Sequence, residues 1–414
     1  MQTLNDWLYY LENLHSKNID MGLERVHKVA SKMDLLNPAP LVITVGGTNG
    51  KGSTVTFCTE ILKADGKTVG TYISPHLHVY NERVSINGMP VSDHQLMQSF
   101  VAVDEGRGDI SLTYFEFGTL SALWIFKQRK VDAVVLEVGL GGRLDAVNII
   151  EPDVAVVTSI GLDHQDWLGS DLNGIAREKA GIFRAAKPAV CGQIDPPPAI
   201  AAQAIALGAK LAVKNQDFSF ERLPGEWSFT SHLSQQTLAH LPLSTLPIEN
   251  AATAIQAVLL LAEPPSEAAI RAGIKQARLA GRLELYTDPM PMMLDVGHNP
   301  QAAEYLRDYL LRNPVAGKNY ALLAMLADKD AKQVTQVMQD CIAEWHLAGL
   351  DVPRGRTARQ LQLDCGVDAI CYNQVGHGLD ALQDVVGPDD RLIVFGSFYT
   401  VSAAQQWIKE HKRG

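Results

Sequence analysis

The sequence has no closely spaced cysteines. Its five, Cys58, Cys191, Cys341, Cys365 and Cys371, are scattered and odd in number. That spacing suggests neither a CxxC zinc site nor a disulfide framework, and leaves inert thiols in a reducing compartment as the expectation. The chain also lacks an excess of positive charge. With 36 Lys and Arg against 46 Asp and Glu the net charge is −10, which argues against nonspecific binding to nucleic acid or an anionic membrane. An anionic substrate stays compatible, because a few local cations suffice to hold one. No apolar run is long enough to span a bilayer. No basic-then-apolar leader is visible either; Leu4, Trp7, Leu8, Leu11 and Leu14 recur at helical spacing instead. A cytoplasmic protein with neither nucleic-acid nor membrane partners is expected. Internal repeats and low-complexity tails are missing as well.

What is present is the make-up of a globular enzyme, with 46% apolar and 20% charged residues. A length of 414 residues exceeds one ordinary core, so two or three domains are expected. Apolar strand patterns fall at 41–45, 68–73, 133–138, 154–158, 292–296, 320–325 and 392–395. Helical patterns lie between them, at 115–127, 250–261, 300–311 and 403–409 among others. Continuous apolar strands separated by helices predict an α/β protein with a parallel sheet covered on both faces, whose ligands bind where strands end. The stretch 195–247, rich in Pro, Ser and Gln, reads as the irregular end of the first domain with a few edge strands. Two prolines in Tyr286-Thr287-Asp288-Pro289-Met290-Pro291 favour an extended linker. They place the domain boundary between 286 and 287, with residues 288–291 as a hinge.

The strongest local signal is Gly46-Gly47-Thr48-Asn49-Gly50-Lys51-Gly52-Ser53, between a strand pattern and a helix pattern over 54–63. Glycines let backbone N–H groups face phosphate oxygens, the helix N-terminus adds partial positive charge, and Lys51 adds a full one. The glycine between Lys51 and Ser53 departs from the usual Gly-Lys-Ser/Thr ending, so a plain glycine-rich turn is the competing reading. Glu137 ends a strand beside Gly139-Leu140-Gly141-Gly142-Arg143, where a Mg²⁺ ligand belongs; an ion pair with Arg143 is the alternative. Asp163, His164 and Asp166 crowd the next loop, suited to metal binding, proton transfer or simple loop hydrogen bonding. Lys179 ends a helix pattern over 171–179, where a favourable charge at the dipole's negative end is the simplest role. Further on, Leu294-Asp295-Val296-Gly297-His298-Asn299-Pro300 joins strand to helix. Asp295 there could accept from a ribose, and His298 divides between a loop role and a nucleotide contact. Gly281-Arg282 is a candidate phosphate contact.

Together, residues 45–53, Ser74-Pro75-His76-Leu77, 136–146, 160–164, 178–183 and 295–300 resemble the folylpolyglutamate synthase family, and within it the bacterial dihydrofolate synthase/folylpolyglutamate synthase group of the Mur-ligase superfamily. The resemblance runs from about residue 20 to 400, and the Gly-Lys-Gly-Ser ending is the family's own. It implies a two-domain Mur-ligase-like fold: an N-terminal P-loop ATPase domain over 1–286 with a parallel-rich sheet, and a smaller Rossmann-like C-terminal domain over 287–414. By motif, Thr48, Asn49, Gly50, Lys51 and Gly52 would wrap the ATP phosphates, while Ser74, Glu137 and His164 would hold Mg²⁺. Lys179 matches a lysine carried as a carbamate. Asn250, Arg282 and Asp295 match ATP contacts, with His298 placed near the nucleotide. Asp20, Gly22, Leu23 and Arg25 match a dihydropteroate-binding loop. Thr113, Phe115 and Glu116, with Leu144, Asp145 and Ala146, match segments lining the same pocket. Read from the residues, Phe115 could pack on an aromatic ring or simply start the core of its helix, and Asp145 could accept from a pterin N–H.

The implied reaction joins L-glutamate to dihydropteroate and to reduced folates at the expense of ATP, through an acyl phosphate, in a protein that is commonly a monomer. Lys51, Lys179 and His164 would serve the chemistry. A folylpolyglutamate synthase alone, a Mur-type cell-wall ligase and a nucleotide-hydrolysing switch are the alternatives.

Overall fold

The computed structural model describes residues 1–17 and 19–411, in two compact units, Met1–Arg278 and Leu279–Gly414. The first unit is built on an eight-stranded sheet. Its strands are β1 (Leu41–Gly46), β2 (Val69–Tyr72), β3 (Val84–Ile86), β4 (Met89–Pro90), β5 (Ala133–Glu137), β6 (Val154–Val157), β7 (Pro188–Cys191) and β8 (Lys210–Val213). Their order is β4-β3-β2-β5-β1-β6-β7-β8. From β2 to β8 the neighbours run parallel. Every residue of β2, β5 and β6 is buried, which is why these strands read as apolar runs, interrupted only by Thr71 and by Glu137 at the end of β5. The sheet departs from the all-parallel expectation at one edge, where β3 and β4 add antiparallel. They are short and half exposed, so no apolar run announced them. Val134 and Leu136 of β5 enter a core with residues of the Asp93–Arg107 and Tyr114–Arg129 helices.

The stretch 195–247 is far more regular than its composition suggests. It forms the Pro198–Leu207 helix, strand β8, and a three-stranded antiparallel sheet of β9 (Phe218–Leu223), β10 (Glu226–Ser231) and β11 (Gln236–Pro242). Along β10 burial alternates strictly, with Trp227, Phe229 and Ser231 inward. Period-two burial on short strands needs few apolar residues, so the polar composition concealed it. Trp227 and Phe229 are fully buried. Trp227→Ala is expected to destabilise this unit by about 3–5 kcal/mol, read as a fall in its denaturation midpoint.

The second unit carries β12 (Glu284–Tyr286), β13 (Met292–Asp295), β14 (Asn319–Leu323), β15 (Glu344–Ala348), β16 (Ala369–Tyr372) and β17 (Arg391–Phe395). The order is β12-β13-β17-β14-β15-β16, parallel except for β12. Residues 288–291, expected to be a hinge, instead join β12 to β13, which pair antiparallel within this unit. The division falls after Arg278, before the expected 286/287 boundary. The prolines mark the connection inside a hairpin; pattern alone does not separate that from a linker.

Candidate active site

The phosphate loop follows β1, and Lys51 opens the Lys51–Ala64 helix, with Gly50 before it at φ 84°. Two glycines here are obligatory. A Cβ on Gly47 would lie 1.9 Å from Thr158 Oγ1, and one on Gly50 would lie 2.5 Å from Asn250 Oδ1. Asn250, from the Ile248–Leu259 helix, therefore presses directly on the loop, although 200 residues separate the two in sequence. The segment after β6 latches the loop from the other side. Thr48 N–H donates to Ser159 O at 2.8 Å, Asn49 N–H to Ser159 Oγ at 3.0 Å, and Thr158 Oγ1 to Asn49 O at 2.7 Å. Lys51 Nζ curls back to donate to Gly47 O at 3.1 Å and Thr48 O at 3.2 Å. Gly50→Ala forces a side chain into a left-handed conformation against Asn250. It is expected to weaken ATP binding about tenfold or more, measured by calorimetry.

Glu137, buried at the end of β5, accepts the Ser74 N–H at 3.0 Å through Oε2. The alternative ion pair does not form, because Arg143 instead binds Glu178 at 2.7 and 2.9 Å. His164 sits at φ 52° before the four-residue Gln165–Leu168 helix, 4.0 Å from Asp163 Oδ2. Asp166 is exposed. Among the described residues no three His, Cys, Asp or Glu form a metal cluster. Ser74, Glu137 and His164 offer a hydroxyl, a carboxylate and an imidazole. That sparse set suits a hexacoordinate divalent ion completed by phosphate oxygens and water, the usual arrangement for Mg²⁺ at a nucleotide.

Lys179 corrects the simplest reading of a helix-end lysine. Its side chain is only 4% exposed and lines one cleft with Thr48, Lys51, Gly139, Asp163 and His164. Burial, reinforced by the Lys51 charge, pushes its amine down to about 7, against the opposing pull of Asp163 and Asp145. Nothing local in the sequence signals that burial.

The expected acceptor-side residues draw together from distant segments. Arg25 pairs with Asp20 at 2.7 Å and with Glu116 at 3.0 Å. Glu116 also accepts the Thr113 N–H at 2.7 Å, closing a capping box on the Tyr114–Arg129 helix. Gly22 and Leu23 lie in the loop between Asp20 and Arg25, and Leu23 starts the Glu24–Lys32 helix without a side-chain cap. Phe115 lies 5.8 Å from Tyr72 with its ring tilted by 34°, and fills the space above Gly139, where a Cβ would come within 2.7 Å of its ring. Asp145, between Leu144 and the buried Ala146, accepts the Leu140 N–H at 2.8 Å and the Val147 N–H at 3.0 Å. Burial outweighs these bonds and pushes its carboxyl up to about 6. Both oxygens shape the loop, a role that the sequence pattern does not reveal.

In the second unit, Asp295 ends β13 and accepts the Leu283 N–H at 3.0 Å and the Gly297 N–H at 2.7 Å. His298 Nδ1 is 2.9 Å from Val296 O, and the Arg282 guanidinium lies 5.4 Å from the Phe398 ring centroid. The Asp295 carboxylate thus ties the Arg282 and His298 turns to one strand end. Glu284, unmarked in the sequence, accepts the Gly281 N–H at 2.9 Å and supports the Arg282 turn from behind.

The chain matches two family descriptions, the Mur ligase middle domain over residues 45–223 and the Mur ligase glutamate ligase domain over 281–398. It is 46% identical over 411 residues to the dihydrofolate synthase/folylpolyglutamate synthase of Escherichia coli (strain K12), covering 99% of this chain and 97% of that one. The fold matches the structure of E. coli FolC in complex with DHPP and ADP, with a TM-score of 0.96 over 99% of this chain and 98% of that one. It also matches, at TM-score 0.93 and 46% identity over 98% of both chains, a bifunctional folylpolyglutamate synthase/dihydrofolate synthase with Mn, AMPPNP and L-glutamate bound.

Proposed function

Because the chain belongs to the dihydrofolate synthase/folylpolyglutamate synthase family of Mur ligases, we propose that it adds L-glutamate to dihydropteroate and to reduced folates. It is an ATP-dependent ligase. The observation that carries the assignment of roles is that the phosphate loop and the Glu137–Ser74 pair follow one another along one sheet edge, with the buried Lys179 lining the same cleft as the loop.

A carboxylate is a poor electrophile at neutral pH. In this reading its oxygen attacks the γ-phosphorus of ATP, ADP leaves, and an acyl phosphate results. The glutamate amine, once deprotonated, then attacks the acyl carbon, and phosphate departs with the former carboxylate oxygen. Thr48 to Gly52 hold the phosphates through backbone N–H groups, and Lys51 neutralises the transferring group. Ser74, Glu137 and His164 would hold the divalent ion. When bound, that ion offsets negative charge on the phosphoryl oxygens. Asn250, Arg282, Asp295 and His298 serve the nucleotide. Asp20, Gly22, Leu23, Arg25, Thr113, Phe115, Glu116, Leu144, Asp145 and Ala146 shape the acceptor pocket.

Lys179 is assigned a carbamate. A neutral amine attacks CO₂ and loses a proton, which exchanges a cation for an anion beside Lys51. The support is an amine that burial brings down to about 7, so that a substantial fraction is neutral near that pH. No helix among the described residues is long and apolar enough to cross a membrane. A cytoplasmic monomer is proposed, since the reading requires neither an anchor nor a second copy.

The test is ADP formation with Mg²⁺ and L-glutamate, offering dihydropteroate and a reduced folate separately. Turnover with both supports the bifunctional reading. Turnover with the folate alone removes the dihydropteroate role of the Asp20–Arg25 cluster. Phosphate release without an acceptor argues for a simple nucleotidase.

A further inference from the structure

Arg83 lies just before β3, at the same edge of the first sheet as the phosphate loop. Its carbonyl accepts the Ile73 N–H at 2.9 Å, and the next residue pairs Val84 with Tyr72 at the end of β2. Because the order is β3-β2-β5-β1, that edge presents the phosphate loop, then Glu137, then Ser74, then Arg83. Three strand spacings put the Arg83 backbone roughly 14 Å from the loop.

The guanidinium is held in place without a counter-anion. Its Nε donates to His76 Nδ1 at 2.9 Å, and its Cζ lies 5.4 Å from the Tyr80 ring centroid and 5.6 Å from that of Tyr114. Among the described residues it makes no ion pair with a carboxylate. The neighbouring Glu82 spends its carboxylate on the Leu77, His78 and Val79 N–H groups. His76 Nδ1 accepts from the Arg83 guanidinium, so the group beside the cation offers a lone pair and no negative charge. Burial raises the Tyr80 and Tyr114 phenols, so the rings flanking the cation are uncharged near neutrality. Tyr72, 1% exposed, places its hydroxyl close to the Thr119 hydroxyl and the Arg83 guanidinium. The same ring packs at a tilt against Phe115 of the proposed acceptor wall. A half-buried planar cation held between aromatic faces by a histidine nitrogen, with no carboxylate partner among the described residues, is built to receive a carboxylate.

The two proposed acceptors differ in one such group. Dihydropteroate carries a single carboxylate, which must reach the phosphate loop to react. A glutamylated folate carries a second, the α-carboxylate of its terminal glutamate. We propose that Arg83, with Tyr72 beside it, reads that α-carboxylate and so determines how well the protein uses folates relative to dihydropteroate. The inference rests on the function proposed above and assigns a specificity residue within the same site.

The test compares kcat/KM for dihydropteroate and for tetrahydrofolate in the wild type, Arg83→Ala and Arg83→Lys. Arg83→Ala is expected to lose about 100-fold on tetrahydrofolate, mainly through KM. Its loss on dihydropteroate should be at least about tenfold smaller by the same reasoning, and Arg83→Lys should fall between. A tetrahydrofolate analogue with an α-carboxamide keeps the idea testable if the alanine variant fails to fold. The wild type should lose the same factor on the analogue, and a folded variant should lose nothing further. Equal losses on the two acceptors, an unchanged folate kcat/KM, or full wild-type turnover of the carboxamide would overturn the inference alone. A wild type inactive with both acceptors would overturn the ligase reading and this inference together.

Discussion

Lys51→Ala is expected to lower kcat for ADP formation by about 10³-fold, equivalent to about 4 kcal/mol of transition-state stabilisation. The loop itself should survive the change. Its shape is fixed by Thr158, Ser159 and the two clash-limited glycines, none of which depends on the Lys51 side chain. The Lys51 ammonium donates to carbonyls of its own loop, so turning it to a phosphate oxygen leaves the latch at Thr158 and Ser159 intact. The loss should therefore appear in turnover, with the thermal midpoint nearly unchanged. A second consequence follows from charge. Lys51 helps hold the Lys179 amine down, so its removal should raise that pKa and shrink the neutral fraction. Single-turnover kinetics with and without added bicarbonate separates the two effects. A kcat within about tenfold of wild type would remove Lys51 from the phosphoryl-transfer step.

Lys179 carries the other large expectation. Lys179→Ala, or depletion of CO₂ from the wild type, is expected to lower kcat by about 10² or more if the carbamate anion is needed beside the transferring phosphoryl group. Bicarbonate should restore the depleted wild type and leave the variant unchanged. The pH dependence has a definite sign. The folded amine titrates near 7, against the ordinary lysine value of 10.5. Between those values the unfolded chain binds more protons than the folded one. The uncarbamylated protein therefore gains stability as pH rises through that window and loses it toward pH 7. Lysine at this depth destabilises while protonated, and that penalty favours conversion to an anion. Mass spectrometry under CO₂ that finds no added carboxyl, together with bicarbonate-independent turnover, would sink the carbamate.

The sequence was most legible where the information is local. Gly46 to Ser53 announces a phosphate loop because the strand, the glycines, the lysine and the helix start are contiguous. The parallel centre of the first sheet was legible because strands buried on both faces are apolar at nearly every position. Strands β3, β4 and β9 to β11 were not, since each buries at most one face of a few residues. Residues 288–291 misled for a related reason: Pro marks a break in regular structure without saying whether a hairpin or a linker follows.

The site was legible in its motifs and opaque in its contacts. Pattern points Lys179 to a helix-end role, and only packing shows its depth. Asn250 meets Gly50 through the approach of two helices, which no spacing records. Arg83 carries no sequence signal because its partners, His76, Tyr80 and Tyr114, come together only when the Tyr114–Arg129 helix packs beside them. Asp145 also organises the turn at Leu140, a role that its place in the pattern does not record.

The acyl-phosphate route is tested most directly by following the oxygen. Dihydropteroate labelled with ¹⁸O in its carboxylate is turned over with ATP, Mg²⁺ and L-glutamate, and the released phosphate is analysed by mass spectrometry. Transfer of one labelled oxygen to phosphate in every turnover is the predicted result, because the carboxylate attacks phosphorus and its oxygen leaves with it. Product formed with unlabelled phosphate would contradict both the acyl-phosphate route and the phosphoryl-transfer role of the phosphate loop.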